Sequence, residues 1–153
     1  METSLKMLNS VIRAKGSTSS AECSATVDLL EADLYSGEIT LIKSGAAPTY
    51  VMREGNIFKL QAQSIPIGIM RAVDAKQIKM SCVAGDVIVM VSDGVARGGD
   101  DCPWLSKLLG EQKGASVSPS ALARTIARRA AEEGGSDDVS AVVLKLSELK
   151  WDR

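Results

Sequence analysis

The chain has 153 residues, 18 of them basic and 19 acidic, for a net charge of −1. That length suits one domain, and an apolar share of 45% supplies a core and excludes a disordered chain. Near-neutral charge and an aromatic share of 3% exclude a nucleic-acid footprint, a polybasic membrane surface and a base-stacking platform. In chain order, residues 2–15 read as a helix, with Leu5, Leu8, Val11 and Ile12 on one face and Glu2, Lys6, Asn9 and Arg13 elsewhere. Gly16 to Ala21 is rich in Ser and Gly and reads as a loop. Short strands then follow at regular spacing: 26–34, 38–43, 49–53 and 57–60, with turns at Tyr35-Ser36-Gly37 and Glu54-Gly55-Asn56 and a break at Gly45 to Pro48.

A loop with Pro66 and Gly68 precedes an alternating strand, 77–83, and a tight Ala84-Gly85-Asp86 turn. Val87 to Val91 is continuously apolar and β-branched, which predicts a strand buried on both faces. Pro103 to Gln112 reads as a helix. Ser118-Pro119 opens another, with Ser as N-cap, Leu122, Ile126 and Ala130 on one face, and Gly134 as the stop. A Gly134-to-Asp138 loop leads into a last buried strand, 139–146. Strands with helices set beside them make an α+β domain.

There is no histidine. That removes His-ligated zinc, Ser-His-Asp and Cys-His arrangements, and a histidine general base. The three cysteines, Cys23, Cys82 and Cys102, are dispersed and odd in number, which suits a reducing compartment and not a disulfide framework. No apolar run approaches the ~20 residues of a membrane span, and the first residues are too polar for a secretory signal. The expectation is a cytoplasmic domain.

Chemistry therefore rests on carboxylates, hydroxyls, Lys, Arg or a bound metal. Two places qualify. VIVMVSDG delivers Asp93 to the end of an interior strand, with Gly94 allowing a sharp departure, and GGSDDVSAVVLKL delivers Asp137 and Asp138 to the start of another. If those strands are neighbours, the carboxylates meet at one sheet edge. Clustered carboxylates repel unless a cation lies between them. Oxygen-only donors select Mg²⁺ or Mn²⁺ over Zn²⁺, and a pair of such ions can activate a water for attack on phosphorus. Each motif alone reads more simply: Ser-Asp-Gly and Gly-Gly-Ser-Asp-Asp as turns and solvated loops, and Asp86 as a hairpin residue. Arg124, Arg128 and Arg129 read as a solvated helix face. Met70, Met80 and Met90 read as core filling, and Cys82 as a small buried hydrophobe. Ser92 and Ser136 read as loop hydrogen-bonders, since no base is at hand to activate them.

The order of motifs changes this balance. AGDVIVMVSDGV followed by SDDVSAVVLKL, with SGAAPTYVMREG and SIPIGI before them, resembles the metal-dependent Ser/Thr phosphatases of the PP2C class. Within that class TSLKMLNSVI, ATVDLLEADL and SIPIGI resemble the sporulation stage II protein E branch, and the similarity spans residues 3–147. The resemblance implies a two-sheet β-sandwich with flanking helices and a Mg²⁺ or Mn²⁺ pair at one edge. It implies Asp93 and Asp137 as metal ligands, with Gly94 and Asp138 in support, while the choice between Asp137 and Asp138 stays open. It implies hydrolysis of phosphoserine or phosphothreonine on a protein by a metal-activated water. In this branch the substrate is a phosphorylated anti-sigma factor antagonist, whose dephosphorylation activates a sporulation sigma factor, and the full-length protein is membrane-anchored. The family's early Asp-Gly motif has no counterpart before Asp93, and Asp28 aligns with a later strand. Residues 1–153 are therefore expected to be the carboxyl-terminal part of the domain, lacking its first strands, binding metal weakly or not at all and being inactive or nearly so. A sheet edge left open in this way favours a homodimer. The alternative is a non-catalytic PP2C-like regulatory or binding module. A third reading, an unrelated β-sandwich interaction domain, requires the Asp93 and Asp137 carboxyl groups to lie more than about 10 Å apart.

Overall fold

The computed structural model describes residues 2–18, 23–96, 102–112, 117–134 and 137–148. The elements are α1 (Glu2–Thr18), β1 (Val27–Ala32), β2 (Glu38–Ser44), β3 (Thr49–Arg53), β4 (Asn56–Leu60), β5 (Lys76–Ser81), β6 (Val87–Val91), α2 (Pro103–Gly110), α3 (Pro119–Glu132) and β7 (Ala141–Lys145). The strands form one sheet ordered β1-β2-β5 and another ordered β4-β3-β6-β7. With three helices beside them, this is the α+β arrangement read from the sequence. The chain divides into two compact units, Met1–Ala46 with Ala62–Met80, and Ala47–Gln61 with Ser81–Arg153.

In the first unit β1 and β2 pair antiparallel, with Asp28 directly opposite Lys43. The two-residue period of β2 buries Ile39 and Leu41 and carries Lys43 onto the same face. The Lys43 side chain is fully buried, and its Nζ lies 2.8 Å from Asp28 Oδ2. In α1 the buried line runs through Leu5 and Asn9, not through Leu8 and Val11, which are 49% and 57% exposed. The cause is Asn9. Its Oδ1 accepts from the Gly68 N–H at 2.7 Å, and its Nδ2 donates to the carbonyls of Met70 and Arg71 at 3.0 and 3.1 Å. Those three bonds fix the helix rotation against a pattern of apolar residues that reads differently. Met70, expected in the core, is 46% exposed. The helix also runs through Gly16 to Thr18, where the Ser17 and Thr18 hydroxyls donate to carbonyls one turn back. The remainder of the expected loop, Ser19 to Ala21, lies outside the described residues.

Two of the sequence stretches interlock in this unit. The Ser44 hydroxyl donates to the Ile65 carbonyl at 2.6 Å, and the Gly45 N–H donates to Ser64 Oγ at 3.0 Å. Gly45 has φ +64°, and a Cβ there would lie 2.8 Å from Pro66 N. The position takes glycine for both reasons.

In the second unit β6 lies between β3 and β7, antiparallel to both. Val87, Ile88, Val89 and Val91 are buried, as a central strand requires. One side of the sheet packs on the helices: Tyr50, Met52, Val87, Val89 and Val91 share a core with Leu105, Leu108 and Leu109 of α2 and Leu122, Ile126 and Ala130 of α3. Pro119 occupies the first position of α3 behind an extended Ser118, whose hydroxyl makes no capping bond. Gly134, at φ +81°, follows the helix end, and its N–H donates to the Ala131 carbonyl. Arg129 leaves the expected solvated face, and its guanidinium lies 5.2 Å from the Trp104 ring centroid. β7 differs from the fully buried strand expected. Val142 is 52% and Leu144 39% exposed, because they lie on the face of the strand opposite Ala141 and Val143, which pack against the helix-side core.

Candidate functional site

The acidic loops meet at one end of the β6–β7 pair. Register runs from Val87 opposite Lys145 to Val91 opposite Ala141. The ladder then extends one rung past the strands, with the Ser92 N–H donating to the Ser140 carbonyl at 3.0 Å. β6 cannot continue beyond it, since the N–H groups of Val95 and Ala96 fold back onto the Ser92 carbonyl. Asp93 lies exposed on that turn, and Asp137 and Asp138 lie exposed on the segment leading into β7.

Three features hold the two segments together. The Ser140 N–H donates to Ser92 Oγ at 2.9 Å. The Ser92 hydroxyl donates to the Asp138 carbonyl at 3.2 Å. Gly94 is buried, and its Cα faces that same carbonyl: a Cβ would collide with Asp138 O, stand 3.0 Å from Asp138 C and 3.5 Å from Asp137 O. The backbones bearing Asp93 and Asp137 are therefore in direct contact. Each carboxylate has a local anchor, Asp93 Oδ1 accepting from the Gly94 N–H at 3.1 Å and Asp137 Oδ1 from the Asp138 N–H at 2.9 Å. Both side chains belong to exposed residues. Gly135 and Ser136 of the same loop lie outside the described residues.

The donors fit a hard divalent cation in kind, since carboxylate and carbonyl oxygens suit Mg²⁺ and Mn²⁺. Among the described residues no group of three or more His, Cys, Asp or Glu is placed to hold a metal ion. Two carboxylates match the protein share of a water-rich Mg²⁺ site, which is bound through one or two.

Asp86 lies at the other end of β6 and is a hairpin residue, as its turn setting suggests, but also a buried one. Its side chain is 1% exposed. It accepts from Arg53 Nε at 2.9 Å, from Arg53 Nη2, and from the Val83 N–H at 2.9 Å. Burial pushes the Asp86 carboxyl up, but the Arg53 guanidinium and the Val83 N–H outweigh it and hold the group below its ordinary value. Cys82 beside it is buried, which pushes its thiol up. Sequence reading missed both the Arg53 partner, 33 residues away, and the bridging role of Ser92, since nothing in the spacing pairs residue 92 with 138 or 140.

Two antiparallel sheets with helices beside them are the PP2C-type phosphatase fold. The solved PP2C phosphatase domain, with a fragment of the regulatory domain, of the cell fate determinant SpoIIE from Bacillus subtilis matches with a TM-score of 0.77 and 25% identity, covering 95% of this chain and 45% of that one. The manganese-presoaked phosphatase domain of the same determinant matches with a TM-score of 0.68 and 22% identity, over 95% and 66% of the two chains. The family model for stage II sporulation protein E (SpoIIE) matches residues 1–147, and the chain belongs to that family. The stage II sporulation protein E of B. subtilis (strain 168) is 31% identical over 94 residues, a stretch that is 61% of this chain and only 11% of that protein. Among the described residues no helix is long and apolar enough to cross a membrane.

Proposed function

We propose that the chain is part of a metal-dependent protein serine/threonine phosphatase, and that Asp93 and Asp137 are its contribution to the metal centre. The observation that carries this reading is the junction of their two segments through Ser92, Gly94 and the Asp138 carbonyl, in a chain of the SpoIIE family. Asp93 and Asp137 would hold Mn²⁺ or Mg²⁺ through carboxylate oxygens. Gly94 gives the Asp138 backbone room to approach, and Asp138 braces the loop. The chemistry such a centre supplies when bound is the lowering of a water's pKa and neutralisation of charge on the phosphoryl group. The exposure of both aspartates leaves the approach open to a phosphorylated side chain on another protein, a substrate too large for a closed pocket. The substrate proposed is a phosphoserine- or phosphothreonine-bearing anti-sigma factor antagonist, whose dephosphorylation activates a sporulation sigma factor. The domain is proposed to work in the cytoplasm, within a membrane-anchored protein.

The test is Mn²⁺-dependent phosphate release from such a phosphoprotein by the parent protein. Asp93→Asn and Asp137→Asn are each expected to lower turnover about a hundredfold or more, since loss of a metal ligand's partner alone costs about 10- to 100-fold, with the fold retained by circular dichroism. Unchanged rates in both variants at saturating Mn²⁺ would overturn the assignment. A second reading, a non-catalytic PP2C-like binding module, is favoured by the absence of a three-donor group among the described residues. It requires binding of the phosphoprotein without phosphate release, with or without Mn²⁺.

A further inference from the structure

We propose that Ser92 is a positioning residue that sets the distance between the two acidic segments, so that cation binding at Asp93 and Asp137 depends on its hydroxyl. This rests on the metal reading above. The backbone pairing of β6 and β7 ends at Val91 and Ala141. Past that point the strands need no longer stay together: the β6 side turns back on itself through the Val95 and Ala96 N–H groups, and the β7 side leads into the exposed Asp137–Asp138 segment. The Ser92 N–H to Ser140 carbonyl bond holds one rung more. The Ser92 hydroxyl adds the only described side-chain bonds across the junction, accepting from the Ser140 N–H at 2.9 Å and donating to the Asp138 carbonyl at 3.2 Å.

The hydroxyl thus straddles Val139, bonding the backbone on both sides of it. A group that both donates and accepts within one atom is needed there, which serine and threonine supply and alanine and cysteine do not supply at comparable strength. The Asp138 carbonyl it holds is the one pressed against Gly94, the residue after Asp93. Without the hydroxyl, the two bonds it makes no longer hold the Asp138 carbonyl beside Gly94. The segment bearing Asp137 is then held to the Asp93 turn by the Ser92 N–H to Ser140 carbonyl bond and by packing. With the hydroxyl, the two segments that bear the carboxylates are joined before any ion arrives, which lowers the cost of assembling the site.

The experiment uses the whole chain labelled with ¹⁵N and Mn²⁺ alone as the probe. Paramagnetic broadening of amide signals detects millimolar as well as tighter binding and needs no turnover. Wild type is expected to show broadening that appears first and strongest at residues 92–94 and 137–140. Ser92→Ala is expected to need about tenfold more Mn²⁺ for the same broadening and to exchange the Ser140 amide faster, with an unchanged thermal midpoint. Ser92→Thr is expected to restore both. Wild-type broadening at these residues with an unchanged Mn²⁺ midpoint in Ser92→Ala would overturn the role of Ser92 and leave the metal reading standing. Broadening centred elsewhere in wild type, or none either in this chain or in the parent protein, would remove the metal reading and this inference with it; where only the parent binds, the same Mn²⁺ midpoints are read there. A Ser92→Ala variant that loses thermal stability, with no recovery of Mn²⁺ binding in Ser92→Thr, would assign the residue a structural role only.

Discussion

Asp86 shows how a single buried carboxylate ties distant segments. It is bonded to Arg53 on β3 and to the Val83 N–H in its own turn, while its carbonyl accepts from Leu146 beyond the end of β7. Its depressed folded-state pKa fixes the sign of its pH dependence. A group whose folded value lies below its unfolded value stabilises above the unfolded value, ordinarily about 3.9 for Asp, and that contribution is lost as pH falls through the folded value. Stability is therefore expected to fall on acidification below about pH 4, and Asp86→Asn to remove that part of the slope in urea titrations at pH 3 and pH 7. Asp86→Ala is expected to cost about 3 kcal/mol at pH 7, the lower end for breaking a buried pair, because Arg53 is 28% exposed and can recover water. Gly94 sets a different limit. Its side is filled by the Asp138 backbone, so Gly94→Ala must push the Asp137–Asp138 segment outward. A loss of about 1–3 kcal/mol is expected from such overpacking, with weakened Mn²⁺ binding. An alanine variant as stable as wild type would show that the segment yields freely.

At the scale of elements, hydrophobic period proved a sound guide where one strand or helix decides its own burial. The run Val87 to Val91 reads as a two-sided buried strand and is one. Leu122, Ile126 and Ala130 read as the inner face of α3 and are. The reading went astray where a polar residue is held by a distant partner. α1 turns on Asn9, whose bonds go to Gly68, Met70 and Arg71, and no local pattern announces a loop some 60 residues on. β7 reads as buried because its apolar run does not show that only the Ala141 and Val143 face packs against the helices. The acidic pair was visible as two motifs, but their meeting depended on β6 and β7 being neighbours, and the Ser92 bridge was visible only in three dimensions. The β1–β2 pair offers a test of the same kind. Burial pushes the Lys43 amine down and the bond to Asp28 raises it, leaving it below its ordinary value. Folding therefore carries a cost below that folded value that is relieved as pH rises through it. Lys43→Met alone is expected to destabilise, because Asp28 directly opposite is only 16% exposed. Adding Asp28→Leu is expected to recover most of the loss, since an apolar pair replaces an ion pair well when both partners change. Equal destabilisation by the single and double variants in urea titrations would contradict this.

At the scale of the whole molecule, the chain crosses between its two units three times, after Ala46, Gln61 and Met80, so neither unit is a continuous piece that could be excised. The sheet of the second unit leaves β7 at one margin. Cross-strand register shows what that margin exposes. Leu144 stands opposite Ile88 and Val142 opposite Met90; Ile88 is fully buried, whereas Val142 and Leu144 are 52% and 39% exposed. An apolar face thus continues outward to an edge whose N–H and C=O groups have no described strand beside them, and the Ala141–Lys145 stretch carries one charge, at its last residue. Before Lys145 such an edge has none of the charges or prolines that ordinarily block pairing with another chain. The 153-residue chain is therefore expected to self-associate, with a weight-average sedimentation coefficient that rises across a concentration series. Val142→Lys places a charge on the exposed apolar face and is expected to return the chain to monomer. Its unfolding midpoint should move little, since a substitution at a half-exposed site away from caps and ion pairs stays within about 0.5 kcal/mol. A wild-type chain that sediments as a monomer throughout would mean that the margin is already protected. Association that persists in Val142→Lys would move the interface elsewhere, to a surface such as the exposed Met7, Leu8 and Val11 side of α1.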